Sequence, residues 1–235
     1  MTEADEIETA ATDAAPPTVE ELEAKLRRHK RNMRKASAEG FLAGILAMLK
    51  PGDLVLDCGA NVGKISTQVA RTGATVLAYE PDPFAFGHLS RTCADLPNVT
   101  LHNAAVGATS GSIRLMRASN FDDNPAGASV KSTIVGGGRL IREEDGIDVT
   151  LLAFPDLVRD LTRDGTEIAL VKMDIEGAEL DILEAMEEQG LFDRIRCLVV
   201  ETHERKFKDL RPRYRALRNR LTKGPFAQRI FLDWI

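Results

Sequence analysis

Short apolar runs recur along most of the chain, and segments with the spacing of amphipathic helices lie between them. The runs predict core strands at 53–59, 74–81, 98–107, 167–177 and 194–203. The intervening segments predict helices at 61–72, 83–96 and 178–190. Strands that alternate with helices of this length are typical of βαβ units. The pattern therefore predicts an α/β fold whose mostly parallel sheet is flanked by helices.

The stretches between and after these elements complete the pattern. Residues 110–138 are rich in glycine and predict a hairpin followed by a long loop, and 147–161 predict a strand that runs into a short helix. A basic helical segment at 205–223 and a last strand at 229–235 follow.

The amino-terminal region predicts a helical extension of one or two helices over 18–50. Thr18 can cap its first turn, and Glu21 follows three residues later in the spacing of a capping box. Residues 1–17 are polar, rich in Ala, Thr and Pro, and we predict that they are disordered. The expected organisation is an acidic tail at 1–17, a helical segment at 18–50 and one globular domain at 51–235.

Composition is that of an ordinary soluble protein, with 43% hydrophobic and 29% charged residues. No apolar run approaches the ~20 residues that cross a bilayer, and the amino terminus lacks the apolar segment of a secretory signal. Cys58, Cys93 and Cys197 are far apart and show neither metal-ligand spacing nor a disulfide framework. We therefore expect a cytoplasmic location.

Charge is distributed unevenly within the net value of −5. Residues 1–24 contain eight acids and no Lys or Arg, whereas 25–35 and 205–223 are strongly basic. Basic clusters of this kind are typical of solvated helix faces. Alternatively, they form a surface for an anionic substrate or carrier.

The loop after the first predicted strand carries the first functional signal. Its sequence, DCGANVG, resembles a dinucleotide-binding loop in which Asp57 replaces the first glycine. An acid there disfavours a pyrophosphate and suits a ligand with a cationic end. Glu80 ends the second strand, where an acid can accept hydrogen bonds from ribose hydroxyls. S-adenosylmethionine has a ribose, a sulfonium and no phosphate, and it fits both positions.

The chain resembles the class I S-adenosylmethionine-dependent methyltransferases, and more narrowly the FkbM family. The matching stretches are VLDCGANVGKIS, LAYEPDPFAFGHL, LHNAAVG, LVKMDIEGAELDILEAM and VVETH, which occur in this order over about 54–203. The resemblance implies a Rossmann-like fold, with S-adenosylmethionine as cofactor and S-adenosylhomocysteine as product. The methyltransferase sheet normally ends in two more strands after a helix. Only one is predicted here, so the last strand is absent or the chain is shortened.

The resemblance also implies roles for individual residues. It assigns the cofactor loop to Asp57, Gly59, Ala60, Asn61 and Gly63. It assigns the ribose to Glu80, the adenine side to Pro81, Asp82, Asn103 and Ala104, and the methionine end to Asp174.

A hydroxyl acceptor must lose its proton during methyl transfer, so a general base is expected near the cofactor. The candidates at the predicted carboxyl ends of adjacent strands are Asp174, Glu176, Glu201 and His203. Lys172 lies two residues before Asp174 and is expected either to lower the pKa of Asp174 or to hold an anionic substrate. A divalent metal among these acids is not favoured, because no tight ligand spacing requires it.

Three readings of the function remain open from the sequence. The first is O-methylation of a small molecule or glycan. The second is a ribose-directed nucleic-acid methyltransferase. A nucleic-acid partner is not favoured, because the chain has DIEG at the place where nucleic-acid methyltransferases that act on amino groups carry an Asn/Asp-Pro-Pro-aromatic loop. The third is a cofactor-binding module without catalysis. The loop at 124–133 is expected to line the acceptor site, and nothing in the sequence indicates the oligomeric state.

Overall fold

The computed structural model describes residues 17–118, 132–136 and 141–233. Its strands are β1 (Leu54–Cys58), β2 (Thr75–Tyr79), β3 (Val99–His102), β4 (Ala105–Gly107), β5 (Gly111–Ala118), β6 (Ile141–Ala153), β7 (Ile168–Met173), β8 (Leu198–Val200) and β9 (Ile230–Phe231). Its α-helices are α1 (Val19–Met48), α2 (Lys64–Ala70), α3 (Pro83–Thr92), α4 (Phe154–Leu161), α5 (Glu179–Glu188) and α6 (Arg211–Leu221).

The main sheet has the order β3-β2-β1-β7-β8-β9, and all of its neighbouring strands are parallel. The predicted α/β fold with a parallel sheet between helices is therefore confirmed. Strand order reverses between β1 and β7. In sheets of this kind, ligands bind at such a reversal, beyond the carboxyl ends of the strands.

The core lies on both faces of this sheet, because successive residues of a strand point to opposite sides. Val55 and Leu170 belong to a buried cluster on one face, together with residues of α2 and α3. Leu56 and Val171 belong to a cluster on the other face, with residues of α4, α5 and α6. Both faces of β1 and β7 are thus covered, which explains why their sequences are continuous apolar runs rather than alternating ones.

One predicted strand is wrong in its extent. Residues 98–107 form two strands in different sheets: β3 joins the main sheet, and β4 joins a smaller sheet with the order β4-β6-β5. The break falls at Asn103, whose side-chain amide donates to the backbone oxygens of Glu80 and Pro81. These hydrogen bonds hold the chain against the end of β2, where it leaves the main sheet and enters the smaller one. β5 pairs in antiparallel fashion with β6, which begins at Ile141, so the partner strand lies after the hairpin predicted within 110–138.

The amino-terminal extension is a single helix, α1, and it has the predicted capping box between Thr18 and Glu21. Only its carboxyl-terminal part packs on the domain. Leu42 is buried, and the ring of Phe41 lies 4.7 Å from that of Phe231. Residues 17–37 are all exposed within the described part of the chain. No helix among the described residues combines the length and apolar character that a bilayer span requires.

β9 adds to β8 as the last strand of the main sheet, after α6. The predicted tail at 1–17 lies outside the described residues except for Pro17, and of the loop at 124–133 only Ser132 and Thr133 are described.

Candidate active site

The loop after β1 is fixed by backbone contacts that only glycine permits. Gly59 has φ +77°, and a Cβ atom there would lie 1.8 Å from the carbonyl oxygen of Asp174. The N–H groups of Gly59 and Ala60 both donate to the carbonyl oxygen of Tyr79, at 3.0 Å. Gly63 has φ +88° and precedes α2. The loop is thus held between the ends of β2 and β7, which brings the cofactor segment to the strand-order reversal.

Asp57 is buried, whereas the sequence interpretation was that its side chain faces a ligand. Its side chain is 0% exposed; it accepts a hydrogen bond from Ser66 Oγ at 2.6 Å and forms an ion pair with Lys172 Nζ at 3.3 Å. Lys172 Nζ also donates to the carbonyl oxygen of Gly59 at 2.6 Å. Lys172 is buried and stabilises the loop through these contacts, and its role toward Asp174 or an anionic substrate stays a prediction. An acid suits this position because it neutralises a buried lysine.

Glu80 occupies the end of β2 and organises the neighbouring backbone. One carboxylate oxygen accepts from the N–H of Asn61 at 2.8 Å, and the other accepts from the N–H of Asp82 at 2.9 Å. Burial raises the pKa of Glu80 to about 7. The carboxylate faces a cavity and retains lone pairs for a further donor.

This first cavity has a volume of about 110 Å³ and lies over the ends of β1, β2 and β7. The predicted site residues that line it are Gly59, Asn61, Glu80, Pro81, Ala104, Asp174 and Glu176. The lining residues that the sequence did not indicate are Tyr79, Ala105, Val106, Leu115, Ile134 and Ile175, whereas Ser132 belongs to the loop at 124–133 that was expected to line the acceptor site. Most of these are apolar and lie in or beside strands, so nothing distinguishes them from ordinary core residues in the sequence.

The other predicted cofactor residues do not line this cavity. Among the described residues they are Asp57, Ala60, Gly63 and Asp82, which are buried, and Asn103, which is exposed. Asp82 is fully buried, and its carboxylate caps α3 by accepting from the N–H of Phe84 and also accepts from Ser132 Oγ. These residues shape the cavity and do not form its surface.

The four candidate bases predicted at the strand ends do come together. His203 Nε2 lies 3.3 Å from Glu176 Oε2, 3.8 Å from Asp174 Oδ1 and 4.0 Å from Glu201 Oε1. β7 and β8 are neighbours in the sheet, so residues that follow them meet at one edge. Glu176 has φ +59°, an unusual backbone conformation for a residue other than glycine, and such conformations cluster at functional sites.

Glu179 is the main site residue that sequence reasoning missed. Its side chain is 0% exposed and accepts hydrogen bonds from Tyr214 OH at 2.7 Å and from the backbone N–H of His203 at 2.9 Å. The same carboxylate oxygen lies 3.2 Å from His203 Nδ1. An acid in the first turn of a helix is common in sequences, and its partners lie far away along the chain. The one weak signal for this contact in the sequence was Tyr214, a tyrosine within a basic segment.

The charges around His203 fix its protonation pattern. Burial works to raise the pKa of Glu179, but its hydrogen bonds from His203 and Tyr214 outweigh that effect and lower the pKa. Ionised Glu179 only accepts, so His203 Nδ1 carries the proton that is donated to it. In the neutral ring, Nε2 then presents a lone pair toward Asp174 and Glu176. Burial works to lower the pKa of His203, and the acids Glu179, Asp174 and Glu201 more than offset it, so the pKa is raised.

Asp174, Glu176 and His203 are also a set that suits a divalent cation. Each offers one ligand atom, and these atoms lie within 4.8 Å of one another. Carboxylate oxygens and imidazole are ligands for Mg²⁺ or Mn²⁺. The ammonium group of Lys206 forms an ion pair with Glu176 at this place and supplies a positive charge without a metal. That a divalent metal is not favoured here stays a prediction, and activity measured with and without EDTA tests it.

A second cavity of about 820 Å³ lies on the far side of His203. α1, the end of β8, α6 and β9 enclose it, and its lining includes Arg34, Phe41, Glu201, His203 and Phe231. The two cavities share no described lining residue. Among the residues that line the first cavity, Glu176 lies nearest to His203 Nε2. Asp174 and Glu176 line the first cavity and Glu201 and His203 line the second, so residues of the cluster around His203 border both cavities.

These features define the class of the protein. Three of them are typical of a Rossmann-like class I methyltransferase. They are a parallel sheet whose strand order reverses beside β1, a glycine loop held against β7 and an acid at the end of β2.

Comparison with known proteins gives the family. A family model described as the methyltransferase FkbM domain matches residues 57–225, and the chain belongs to this family. The suspected resemblance is thus confirmed. Family and fold make the chain a methyltransferase and imply S-adenosylmethionine as its methyl donor and S-adenosylhomocysteine as its product.

Three relatives place the chain among methyltransferases of different sources. Methyltransferase sdnD of Sordaria araneosa is 28% identical over 194 residues, which cover 73% of this chain and 74% of the relative. The 31-O-demethyl-FK506 methyltransferase FkbM of Streptomyces tacrolimicus is 27% identical over 66% of this chain and 67% of its own length. The hexuronic acid methyltransferase AglP of Haloferax volcanii is 24% identical over 68% of this chain and 59% of its own length.

Proposed function

We propose that this chain methylates a hydroxyl group on a small molecule or glycan, using S-adenosylmethionine, and that His203 accepts the hydroxyl proton. The observation that carries this proposal is the position of His203 Nε2. It belongs to a residue that lines the second cavity and lies 3.8 Å from Oδ1 of Asp174, which lines the first, and its ring is oriented through Nδ1 by buried Glu179. A lone pair held at this position is placed for proton transfer.

In this proposal S-adenosylmethionine would lie at the first cavity and extend beyond it, because the volume of about 110 Å³ is smaller than the ~300–1,000 Å³ of small-molecule sites. Glu80 would accept from the ribose hydroxyls, Pro81 and Ala104 would lie along the adenine side, and Asp174 would face the methionine end. The backbone N–H groups at 59–61 are already engaged by Tyr79 and Glu80. The loop therefore acts mainly by its shape, and the carboxylates supply the polar recognition.

The acceptor occupies the second cavity, with its hydroxyl beside His203. Bound S-adenosylmethionine would supply an activated methyl group to the hydroxyl oxygen and would leave as S-adenosylhomocysteine. The proton leaves the oxygen for His203 Nε2 as the new bond forms. Alignment of the two reactants supplies much of the acceleration, since well-oriented reactions gain ~7–11 kcal/mol.

Two observations support a small or sugar-like acceptor. The volume of about 820 Å³ falls within the range of small-molecule sites. Two of the relatives carry names that refer to 31-O-demethyl-FK506 and to a hexuronic acid.

The test is methyl transfer from labelled S-adenosylmethionine to a panel of hydroxyl compounds, including sugars, uronic acids and polyketide alcohols, with RNA as a separate arm. A product heavier by one methyl group, with the label on oxygen, supports the proposal. Methylation of RNA ribose instead would favour the nucleic-acid reading. Binding of the cofactor without transfer to any compound would favour a module without catalysis.

Replacement of Glu80 by alanine is expected to weaken S-adenosylmethionine binding about ten- to a hundredfold. The reason is the loss of a charged hydrogen-bond acceptor, which is worth ~1.5–3 kcal/mol. Calorimetry measures the affinity, and Glu39→Ala on the exposed part of α1 is the matched control. Because Glu80 also holds the N–H groups of Asn61 and Asp82, the melting temperature without cofactor is compared first. Unchanged affinity in a folded Glu80→Ala variant would remove the ribose assignment.

The pH profile of turnover is expected to depend on Glu179. Neutral His203 is the active form, and its pKa is raised, so activity should fall as the pH drops through a value above the ordinary 6.5. Glu179→Gln removes a negative charge that stabilises the imidazolium form. The acid limb of kcat/KM should therefore move to lower pH, while the plateau falls because the ring is held less firmly. The charges that still face His203 are Asp174, Glu176, Glu201 and Lys206. An acid limb that stays in place or moves upward would contradict this role.

A further inference from the structure

The amino-terminal two-thirds of α1 is a helix without a visible partner in the described part of the chain. Residues 17–37 are all exposed, so a rod of ~28 Å, at 1.5 Å per residue, projects from the domain. Isolated helices of this length are marginal in water, because most helical stability in proteins comes from packing of an apolar face. We therefore expect the exposed segment of α1 to pack against a second surface.

The exposed segment carries an apolar stripe with the spacing of a coiled coil. Val19, Leu22, Leu26 and Met33 are 75%, 50%, 51% and 59% exposed, and they are the large apolar side chains of this segment. Val19, Leu26 and Met33 repeat every seven residues and take the a positions of a heptad. Leu22 takes a d position, as do His29 and Ala36. This narrow stripe matches the seam of a two-helix pair.

We propose that this stripe is the docking site for the same helix of a second copy of the chain, in antiparallel orientation. In that arrangement a residues pack against d residues of the partner subunit. One register pairs all six seam positions: Val19 with Ala36, Leu22 with Met33, and Leu26 with His29. The pairing is symmetric about the middle of the exposed segment, as a two-fold axis requires.

The flanking charges select this orientation. Glu23 and Lys30 occupy e positions, and antiparallel helices bring e positions of one chain beside e positions of the other. Each Glu23 then faces Lys30 of the partner subunit, twice by symmetry. A parallel pair would instead place Lys25, at g, beside Lys30 at e of the partner, which is repulsive. Glu23 also pairs with Arg27 within its own helix, on the outer side of the seam.

The dimer brings the partner's helix close to the acceptor cavity. Val19 of the partner subunit would lie beside Ala36, and the next two residues, Ser37 and Ala38, line the second cavity. The start of one helix thus borders the active site of the other subunit. The proposal concerns association and stands whether or not the acceptor is a hydroxyl compound.

Charge reversal with the full chain provides the test, with the association constant measured by sedimentation. We expect a dimer for the parent, and Glu23→Lys and Lys30→Glu should each weaken it about tenfold or more, since two attractive pairs become two repulsive ones. The double variant E23K/K30E should regain the dimer. Glu20→Lys carries the same charge change at an outer b position and should associate as the parent does. A monomeric parent, or a double variant no tighter than the singles, would overturn the proposal.

Disulfide formation tests the orientation. Leu22→Cys mixed with Met33→Cys should cross-link faster than either variant alone, because positions 22 and 33 face each other across the seam. Faster self-linking of Leu22→Cys would indicate a parallel pair and overturn the proposal. Parent protein that binds phosphatidylserine vesicles through α1 and stays monomeric in solution would also overturn it, since a basic helix with an apolar stripe can instead lie on an anionic bilayer.

Discussion

Replacement of His203 by alanine is expected to lower kcat by ~10²–10⁴-fold and to leave cofactor affinity nearly unchanged. The imidazole is 6% exposed, its neutral form has a lone pair on Nε2, and it lines the second cavity rather than the first. Replacing it takes away the proposed proton acceptor and leaves Glu80 and the loop intact. Single-turnover kinetics measures the chemical step, and calorimetry with S-adenosylhomocysteine measures binding.

Several comparisons make this result specific. His88→Ala on α3 is the matched control, because it removes a half-buried imidazole far from the strand ends. Asp174→Asn keeps the shape of the side chain and removes its charge, so a larger loss there than in His203→Ala would make Asp174 the base. Loss of activity in EDTA with recovery in Mg²⁺ would turn His203, Asp174 and Glu176 into metal ligands. Full activity in both variants would show that this edge is not the catalytic one.

Replacement of Lys172 by methionine is expected to lower the free energy of unfolding by ~3–5 kcal/mol. The ammonium is 7% exposed and pairs with Asp57, which is 0% exposed. Burial works to lower the pKa of Lys172, but Asp57 and Asp174 outweigh it and the pKa is raised, so the group stays charged. Its removal leaves a buried carboxylate without its partner, and the loop loses the donor to the carbonyl oxygen of Gly59.

Urea unfolding measures this loss, and a second substitution tests its cause. Asp57→Asn added to Lys172→Met removes the unpaired charge while the amide oxygen can still accept from Ser66, so part of the stability should return. Lys64→Met at the exposed start of α2 is the control, expected to change stability by no more than ~0.5 kcal/mol. If Lys172→Met unfolds at the same urea concentration as the parent and affects only the KM of an acceptor, the sequence-based substrate role would be right after all.

The sequence predicted the elements that repeat a strong local pattern. β1, β2 and β7 are apolar runs covered on both faces, and their positions and parallel pairing follow from that pattern and from the helices between them. The glycines at 59 and 63 were recognisable because their positions demand positive φ values. The edge where Asp174 and His203 meet was predictable because each follows a neighbouring strand.

Other features depend on contacts that no local pattern encodes. Asp57 was interpreted as ligand-facing because its place in the loop motif was visible, whereas the lysine that neutralises it lies more than a hundred residues away. Glu179 looks like any acid at a helix start, and its role requires both Tyr214 and His203. The division of 98–107 into two strands depends on the amide of Asn103 bonding to residues at the end of β2.

The separate walls of the two cavities have a consequence for how such an enzyme diversifies. In the proposed arrangement, cofactor recognition rests on β1, β2, β7 and their loops, whereas α1, α6, β9 and the end of β8 border the second cavity. If the acceptor occupies the second cavity as proposed, we expect substitutions on α1 and β9 to change which molecule is methylated without disturbing the binding of the methyl donor. Because α1 belongs to the extension rather than to the central sheet, we likewise expect exchange of that helix to alter acceptor preference while the edge around His203 is retained.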